Sequence, residues 1–117
     1  MVYDHDIEKS LLKVSGAAEQ EDVELAREVV LFLKDELGFS MEKIAKMVGV
    51  SIFPIRQLYH AEVFENYIYL ESQTRINAET VWRIILYSNL ILSRIDKRFE
   101  YIYKKTQKAK KNVDSIG

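Results

Sequence analysis

The chain has 117 residues, of which 48% are hydrophobic and 30% charged, a composition that supports one folded domain with a buried core. It contains no cysteine, which excludes disulfides, thiol catalysis and cysteine-bound zinc. Two histidines and the lack of any apolar run near the roughly 20 residues of a membrane span predict no metal site, no cofactor and no membrane partner. The acidic start, where a signal peptide would be basic, predicts a cytoplasmic protein.

Charge is distributed unevenly along the chain, although the net charge is only −1. Residues 1–39 carry ten acidic and four basic side chains, whereas residues 94–117 carry three acidic and eight basic ones. Residues 40–60 carry one acidic and three basic side chains. A protein that neutralises phosphates needs positive charge only on its docking surface, so the net charge does not exclude nucleic acid. The lysine-rich C-terminus is equally compatible with a solvated tail.

Two helices are predicted in the acidic first third of the chain. Apolar residues at steps of three and four predict a short helix over residues 6–14 and a longer one over residues 22–37. Acidic side chains cluster at the start of the second helix, where the helix dipole favours them. Gly38 suits the left-handed position that ends such a helix, and Phe39 is expected to pack back onto it.

Two short helices joined by a tight turn are predicted over residues 40–60. Ser40 and Ser51 each precede a periodic apolar segment and are expected to be helix N-caps. Gly49, between the two segments, predicts a change of chain direction through a positive φ angle. Pro54 would be the third residue of the second helix, where its missing N–H has no intrahelical partner to lose.

Residues 61–76 are compatible with two structures. Residues 67–70 are β-prone and can pair with residues 74–76 as a hairpin, although residues 71–73 offer no glycine for a tight turn. An apolar face at helical spacing slightly favours a helix instead, and its members are Val63, Tyr67, Leu70 and Thr74.

The last predicted element is a long helix that is capped by Asn77 and runs from Ala78 to about Lys110. Its apolar residues alternate steps of four and three, which is a heptad pattern. Roughly 33 helical residues would span roughly 50 Å, more than the width of so small a domain, so a second copy is expected to cover part of the helix. The predicted dimerisation residues are Val81, Ile85, Leu92, Ile95, Phe99 and Ile102. A second stripe, expected to face the chain's own core, comprises Ile84, Tyr87 and Ile91.

Residues 40–59 combine small and apolar residues at characteristic positions, namely Ile44-Ala45, Gly49-Val50-Ser51, and Ile55 with Leu58. This pattern resembles the helix-turn-helix of DNA-binding regulators and recombinases, without indicating a narrower family, and an ordinary helical hairpin is the alternative. The resemblance implies that Ala45 is small because the second helix crosses close to it, and that Val50 fills the angle between the helices.

Carried over by position, the resemblance implies that the outward side of the second helix contacts double-stranded DNA. Arg56 and Gln57 have suitable chemistry, since arginine bonds guanine bidentately and glutamine bonds adenine. Lys43 and Lys46 lie on the first helix and are expected at phosphates, although ordinary solvation also explains them. The complete expected DNA-binding set is Ser51, Ile52, Phe53, Arg56, Gln57, His60, Lys43 and Lys46.

Ile52 and Phe53 depart from the pattern of base readers, in which these early positions are usually polar. They are expected either to contact thymine methyl groups or sugars, or to be covered by protein, such as the segment 67–70. Burial or protein contact is slightly favoured over base contact.

The expected fold is therefore mainly α. Residues 1–76 form a helix-turn-helix domain with its motif at residues 40–60, winged if a hairpin lies near residues 63–76. Residues 77–111 form a long C-terminal dimerisation helix, and residues 112–117 form a tail.

The expected function is that of a dimeric, sequence-specific double-stranded DNA-binding protein, most simply a transcriptional regulator, with no small-molecule ligand. The alternatives are a DNA partition or architectural protein that coats DNA, and a protein-interaction module without nucleic acid. The sequence contains no Ser/His/Asp constellation, glycine-rich phosphate loop or HExxH motif, so an enzyme is not expected.

Overall fold

The computed structural model describes residues 3–64, 67–69 and 76–94. Over these ranges the prediction of a mainly helical fold is confirmed, with five α-helices and one antiparallel pair of short strands. The elements in chain order are α1 (His5–Leu11), α2 (Gln20–Leu31), α3 (Met41–Val48), α4 (Ile52–His60), β1 (Glu62–Phe64), β2 (Tyr67–Tyr69) and α5 (Ala78–Ser93).

The helix α5 lies at the centre of the described fold. It packs against α1, α2 and α3, and ten of its sixteen residues are buried. Tyr87 has no exposed surface, and its hydroxyl accepts a hydrogen bond from the backbone N–H of Asp4 at 3.2 Å. A helix that is apolar on nearly all sides requires neighbours on nearly all sides, which α5 finds within its own chain. No helix within the described ranges is long and apolar enough to cross a bilayer.

This packing corrects the first half of the predicted dimer seam. Val81, Ile85 and Leu92 have no exposed surface in the single chain, so their side chains are not available to a second copy. The heptad pattern was misleading here because a helix enclosed by its own chain repeats apolar residues on the same spacing. The other predicted seam residues, Ile95, Phe99 and Ile102, lie outside the described residues, as does the predicted continuation of the helix to Lys110.

The end of α2 has a feature that apolar spacing did not predict. The helix continues into a π-helical turn, Phe32–Glu36. Gly38 follows with a φ angle of 75°, and the N–H of Phe39 donates to the carbonyl oxygen of Leu33 at 3.1 Å. The predicted helix end at Gly38, with Phe39 partly buried against the core, is confirmed.

The strands β1 and β2 form a short hairpin directly after α4. Glu62 is opposite Tyr69, and Phe64 is opposite Tyr67. The slight preference for a helix was therefore wrong for these residues, because the β-propensity of the aromatic segment 67–69 decided its conformation. The expected partner strand was also wrong, since residues 67–69 pair with the residues that precede them. Residues 65–66 and 70–75 lie outside the described part of the chain.

The start of α5 is tied to the loop after α1. The N–H of Ala18 donates to the carbonyl oxygen of Ile76 at 3.2 Å, and the N–H of Ala78 donates to that of Gly16 at 2.8 Å. The side chain of Asn77 accepts a hydrogen bond from a first-turn N–H of α5 at 2.8 Å, so the predicted cap is confirmed. The central helix thus begins at a well-defined position against the first third of the chain.

Candidate nucleic-acid interface

The helices α3 and α4 are joined by Gly49, Val50 and Ser51. Gly49 has φ 77° and ψ 34°, a left-handed conformation that costs a residue with a side chain about 1–2 kcal/mol. The N–H groups of Gly49 and Val50 both donate to the carbonyl oxygen of Ala45, at 2.9 and 3.0 Å. The predicted change of chain direction at Gly49 is confirmed.

The two helices are held against the rest of the protein by their inner faces. They pack against each other, while α3 also packs against α5 and α4 against α2. Val50 is partly buried against the core, as expected of a residue that fills the angle between two helices. The buried residues of the pair are Ile44, Ala45, Val48, Ile55 and Leu58. Their outer faces are therefore presented in a defined orientation by the core.

The N-caps of the two helices differ. The Oγ of Ser40 accepts a hydrogen bond from the backbone N–H of Lys43 at 3.1 Å, as predicted. Ser51 occupies the N-cap position of α4, but its side chain makes no capping hydrogen bond. A cap accepts from the second or third helical N–H, and Pro54 removes the third of these donors, so only the N–H of Phe53 remains for a side-chain cap. Ser51 therefore lies at the N-cap position of α4, as expected, but the expected hydrogen bond from the helix to its hydroxyl group is absent.

The outer side of α4 carries an exposed row of three side chains, namely Phe53, Arg56 and His60. Steps of three and four residues place them on one face of the helix. Gln57 adjoins this row and is partly buried. The ring of His60 packs edge-on against the ring of Tyr59, with the ring centroids 5.1 Å apart. The structure therefore brings four of the predicted DNA-contacting residues to one side of α4.

The two early apolar residues of α4 have different environments. Ile52 is partly buried and packs against the core. Phe53 is 59% exposed, which makes it one of the few large hydrophobic side chains on the described surface. Burial or protein contact was expected slightly more than base contact for both residues, and the structure partly buries only Ile52.

The helix α3, which packs against α4, also carries exposed positive charge. Lys43 and Lys46 are both exposed, and one acidic residue of α3, Glu42, is exposed as well. The Nζ of Lys43 lies 4.9 Å from the ring centroid of Phe39, so the ammonium group sits over an aromatic face. Together, α3 and α4 carry three lysine or arginine side chains and one carboxylate.

An interaction that the sequence did not predict connects α4 to the π-helical turn. The hydroxyl of Tyr59 donates a hydrogen bond to the Oδ1 of Asp35 at 3.0 Å, and this bond raises the pKa of Tyr59. The Nζ of Lys34 lies 4.9 Å from the centroid of the same ring. The hydrogen-bonded residues are 24 positions apart in sequence, so no local spacing indicates the contact. It joins the second half of α4 to this turn and places a carboxylate, Asp35, and a cation, Lys34, beside Tyr59.

The start of α2 has the opposite charge. Asp22 is partly buried, and this burial, together with the charges of Glu21 and Glu19, raises its pKa to about 6. Acidic side chains thus cluster at the start of α2, whereas α3 and α4 carry mainly basic ones.

Neither a metal centre nor a known relative helps to interpret this surface. No group of three or more His, Asp or Glu side chains in the described part of the chain is arranged to hold a metal ion. In comparisons with protein-family models, curated proteins and solved structures, the chain matches none of them.

Proposed function

We propose that the protein is a cytoplasmic, sequence-specific double-stranded DNA-binding protein that inserts α4 into the major groove, most simply as a homodimeric transcriptional regulator. The observation that carries this proposal is the exposed row on α4, with Arg56 at its middle, next to the left-handed turn at Gly49. In this interpretation α3 and α4 form a helix-turn-helix motif. The hairpin β1–β2, which follows α4 after Ala61, is compatible with its winged form.

The dimensions and chemistry of α4 support this role. A helix with its side chains is roughly 10–12 Å wide, and the major groove is about 12 Å wide. Arg56 is exposed, and its guanidinium group can donate two parallel hydrogen bonds to the O6 and N7 of guanine. Because the inner face of α4 is anchored by Ile55 and Leu58, this side chain is presented from a rigid support.

The lysines of α3 fit the second part of such an interface. In a helix-turn-helix the first helix crosses the DNA backbone, where Lys43 and Lys46 would neutralise phosphates. Neutralised phosphates release counterions, so the affinity should fall steeply as salt increases. Each lysine-to-alanine substitution should then weaken binding to all sequences and reduce the salt slope by about 1.

The test is selection of bound duplexes from a random DNA pool, followed by fluorescence anisotropy titrations at several salt concentrations. Arg56→Ala should weaken binding to the selected sequence by about 1–3 kcal/mol and relax the preference for one base pair. Arg56→Lys, which keeps the charge but loses the bidentate geometry, should lose the same preference. Lys13→Ala is the matched control, because it removes an exposed positive charge just after α1. Equal effects of Arg56→Ala and Lys13→Ala would contradict the proposal.

The interface of the proposed homodimer would be formed by residues that lie outside the described part of the chain. Two copies related by a two-fold axis read both halves of a palindrome, and the remaining seam candidates are Ile95, Phe99 and Ile102. Ile95→Asp should shift the protein from dimer to monomer in sedimentation experiments, because it would bury an unpaired charge in the seam. A wild-type protein that sediments as a monomer at all concentrations would contradict the dimer while leaving the DNA interface of α4 intact.

The exposure of Phe53 supports one other function, that of a protein-interaction module without nucleic acid. Exposed apolar groups of this size mark contact surfaces of many kinds. The same titrations separate the two functions, since a protein-interaction module would show no salt-dependent duplex binding. Footprinting of bound DNA then distinguishes a regulator from a partition or architectural protein, because protection would spread beyond one palindrome if the protein coats DNA.

A further inference from the structure

The inference concerns Phe53 and rests on the proposed function of α4. Phe53 is the second residue of this helix and is 59% exposed, although the adjacent Ile52 packs against the core. An apolar ring in this position is not required by the fold, since no buried cluster includes it. The ring is therefore available to contact a ligand that has an apolar group.

The position of Phe53 relative to Arg56 narrows the chemistry of that ligand. The two residues are three positions apart on one helix face, so their Cα atoms are separated by about 4.5 Å along the helix axis. Successive base pairs of DNA are separated by about 3.4 Å. When Arg56 reads one base pair, Phe53 is therefore close to a neighbouring base pair.

The edges of the base pairs offer one apolar group in the major groove. The other positions present hydrogen-bond donors and acceptors, whereas thymine presents its C5-methyl group. A phenylalanine ring placed against a polar base edge would remove that edge from water without replacing its hydrogen bonds. Arg56 lies on the same helix face as Phe53, and the packed neighbour α3 exposes Lys43 and Lys46, so the charge of this helix pair favours a polyanion over an apolar protein surface as the occupant.

We propose that Phe53 contacts the C5-methyl group of a thymine next to the base pair that Arg56 reads, and so makes α4 selective for thymine at that position. The sequence preference of the protein then has two separate parts. Arg56 supplies the hydrogen-bonded part, and Phe53 supplies an apolar part that depends on one methyl group.

The experiment uses the full chain and the duplex obtained by selection. Each thymine of this duplex is replaced in turn by deoxyuridine, which lacks only the C5-methyl group, and the affinity is measured by anisotropy. For the wild-type protein, one replacement next to the base pair that depends on Arg56 should weaken binding about fourfold, the value of one buried methyl group. For Phe53→Ala, the thymine and uracil duplexes should bind equally.

Two matched variants complete the test. Phe53→Leu keeps an apolar side chain and should retain most of the sensitivity to the methyl group, whereas Arg56→Ala should weaken binding but retain that sensitivity. Equal loss of affinity on uracil substitution in the wild type and in Phe53→Ala would overturn the inference, as would a selected site without such a thymine. If Arg56→Ala still relaxes the preference for one base pair, either of those results overturns only the inference about Phe53 and leaves the proposed function in place. Absence of salt-dependent duplex binding would overturn both.

Discussion

The helices α4 and α5 show two uses of apolar residues in one small protein. In α5, ten of sixteen residues are buried, and three other helices cover it. In α4, only Ile55 and Leu58 are buried, and the outer side displays Phe53 and Arg56. The comparison indicates that α5 stabilises the fold, whereas the outer side of α4 contributes little to the core and is exposed for the contact proposed above. Substitutions in the two helices should therefore separate stability from binding.

The largest effect on stability is expected at Ile85, in the middle of α5. Ile85→Ala should lower the free energy of unfolding by about 2–5 kcal/mol, because the residue is fully buried and its removal leaves a cavity. Urea denaturation measures this loss, and Ile91→Ala, at a partly exposed position of the same helix, should lose less. The loss should be the same at low and high protein concentration. A loss that disappears at high concentration would instead indicate that a second copy covers Ile85.

The next largest effect is expected at the turn that orients α4. Gly49→Ala should lower the free energy of unfolding by about 1–2 kcal/mol, because the φ angle of 77° is unfavourable for a residue with a Cβ atom. Gly49→Asn is the control, since asparagine tolerates this conformation better than alanine. If thermal unfolding shows no difference between alanine and glycine at this position, the left-handed turn does not exist in solution.

A smaller, pH-dependent effect is expected from Asp22. Its pKa is raised to about 6 in the folded protein, so the unfolded chain loses this proton at lower pH than the folded one. The wild type should therefore lose stability as the pH rises from about 4 to about 6, while Asp22→Asn should not. Because Asp22 is partly exposed and screened by solvent, we expect a difference of about 1 kcal/mol at pH 7 in denaturant titrations.

The smallest effect on stability is expected on the outer side of α4. Phe53→Ala and Arg56→Ala should each change the free energy of unfolding by no more than about 0.5 kcal/mol, since both side chains are exposed. Circular dichroism during thermal unfolding measures this. A large loss of stability in either variant would mean that the outer side of α4 is covered within the protein, and the contrast with α5 would disappear.

The candidate interface was more predictable from the sequence than the core helix. Ser40, Gly49 and Pro54 act on the backbone within a few residues of themselves, and their positions in α3, the turn and α4 are as expected. The heptad pattern of α5 was correct as a sign of a helix and misleading about what covers it. Spacing within one helix shows which residues share a face, but it contains no information about which part of which chain packs there.

The contacts of α4 with the π-helical turn illustrate the same limit. The hydrogen bond between Tyr59 and Asp35, and the position of Lys34 over the tyrosine ring, join segments that are distant in sequence. Similarly, Ile52 and Phe53 are adjacent and both apolar, yet one packs inward and the other is exposed. Neither outcome follows from residue type, because both depend on how α4 packs against segments that are distant in sequence.

By itself, the sequence determined the mainly helical class of the protein, the caps at Ser40 and Asn77, and the turn at Gly49. These features depend on local backbone conformation and on hydrogen bonds between near neighbours. Only the tertiary structure decided that α5 is enclosed by its own chain and that Phe53 stands exposed beside Arg56. Burial is set by the arrangement of all helices together. Apolar side chains at a given spacing are stabilised by any apolar surface that shields them from water, whichever chain or segment supplies it.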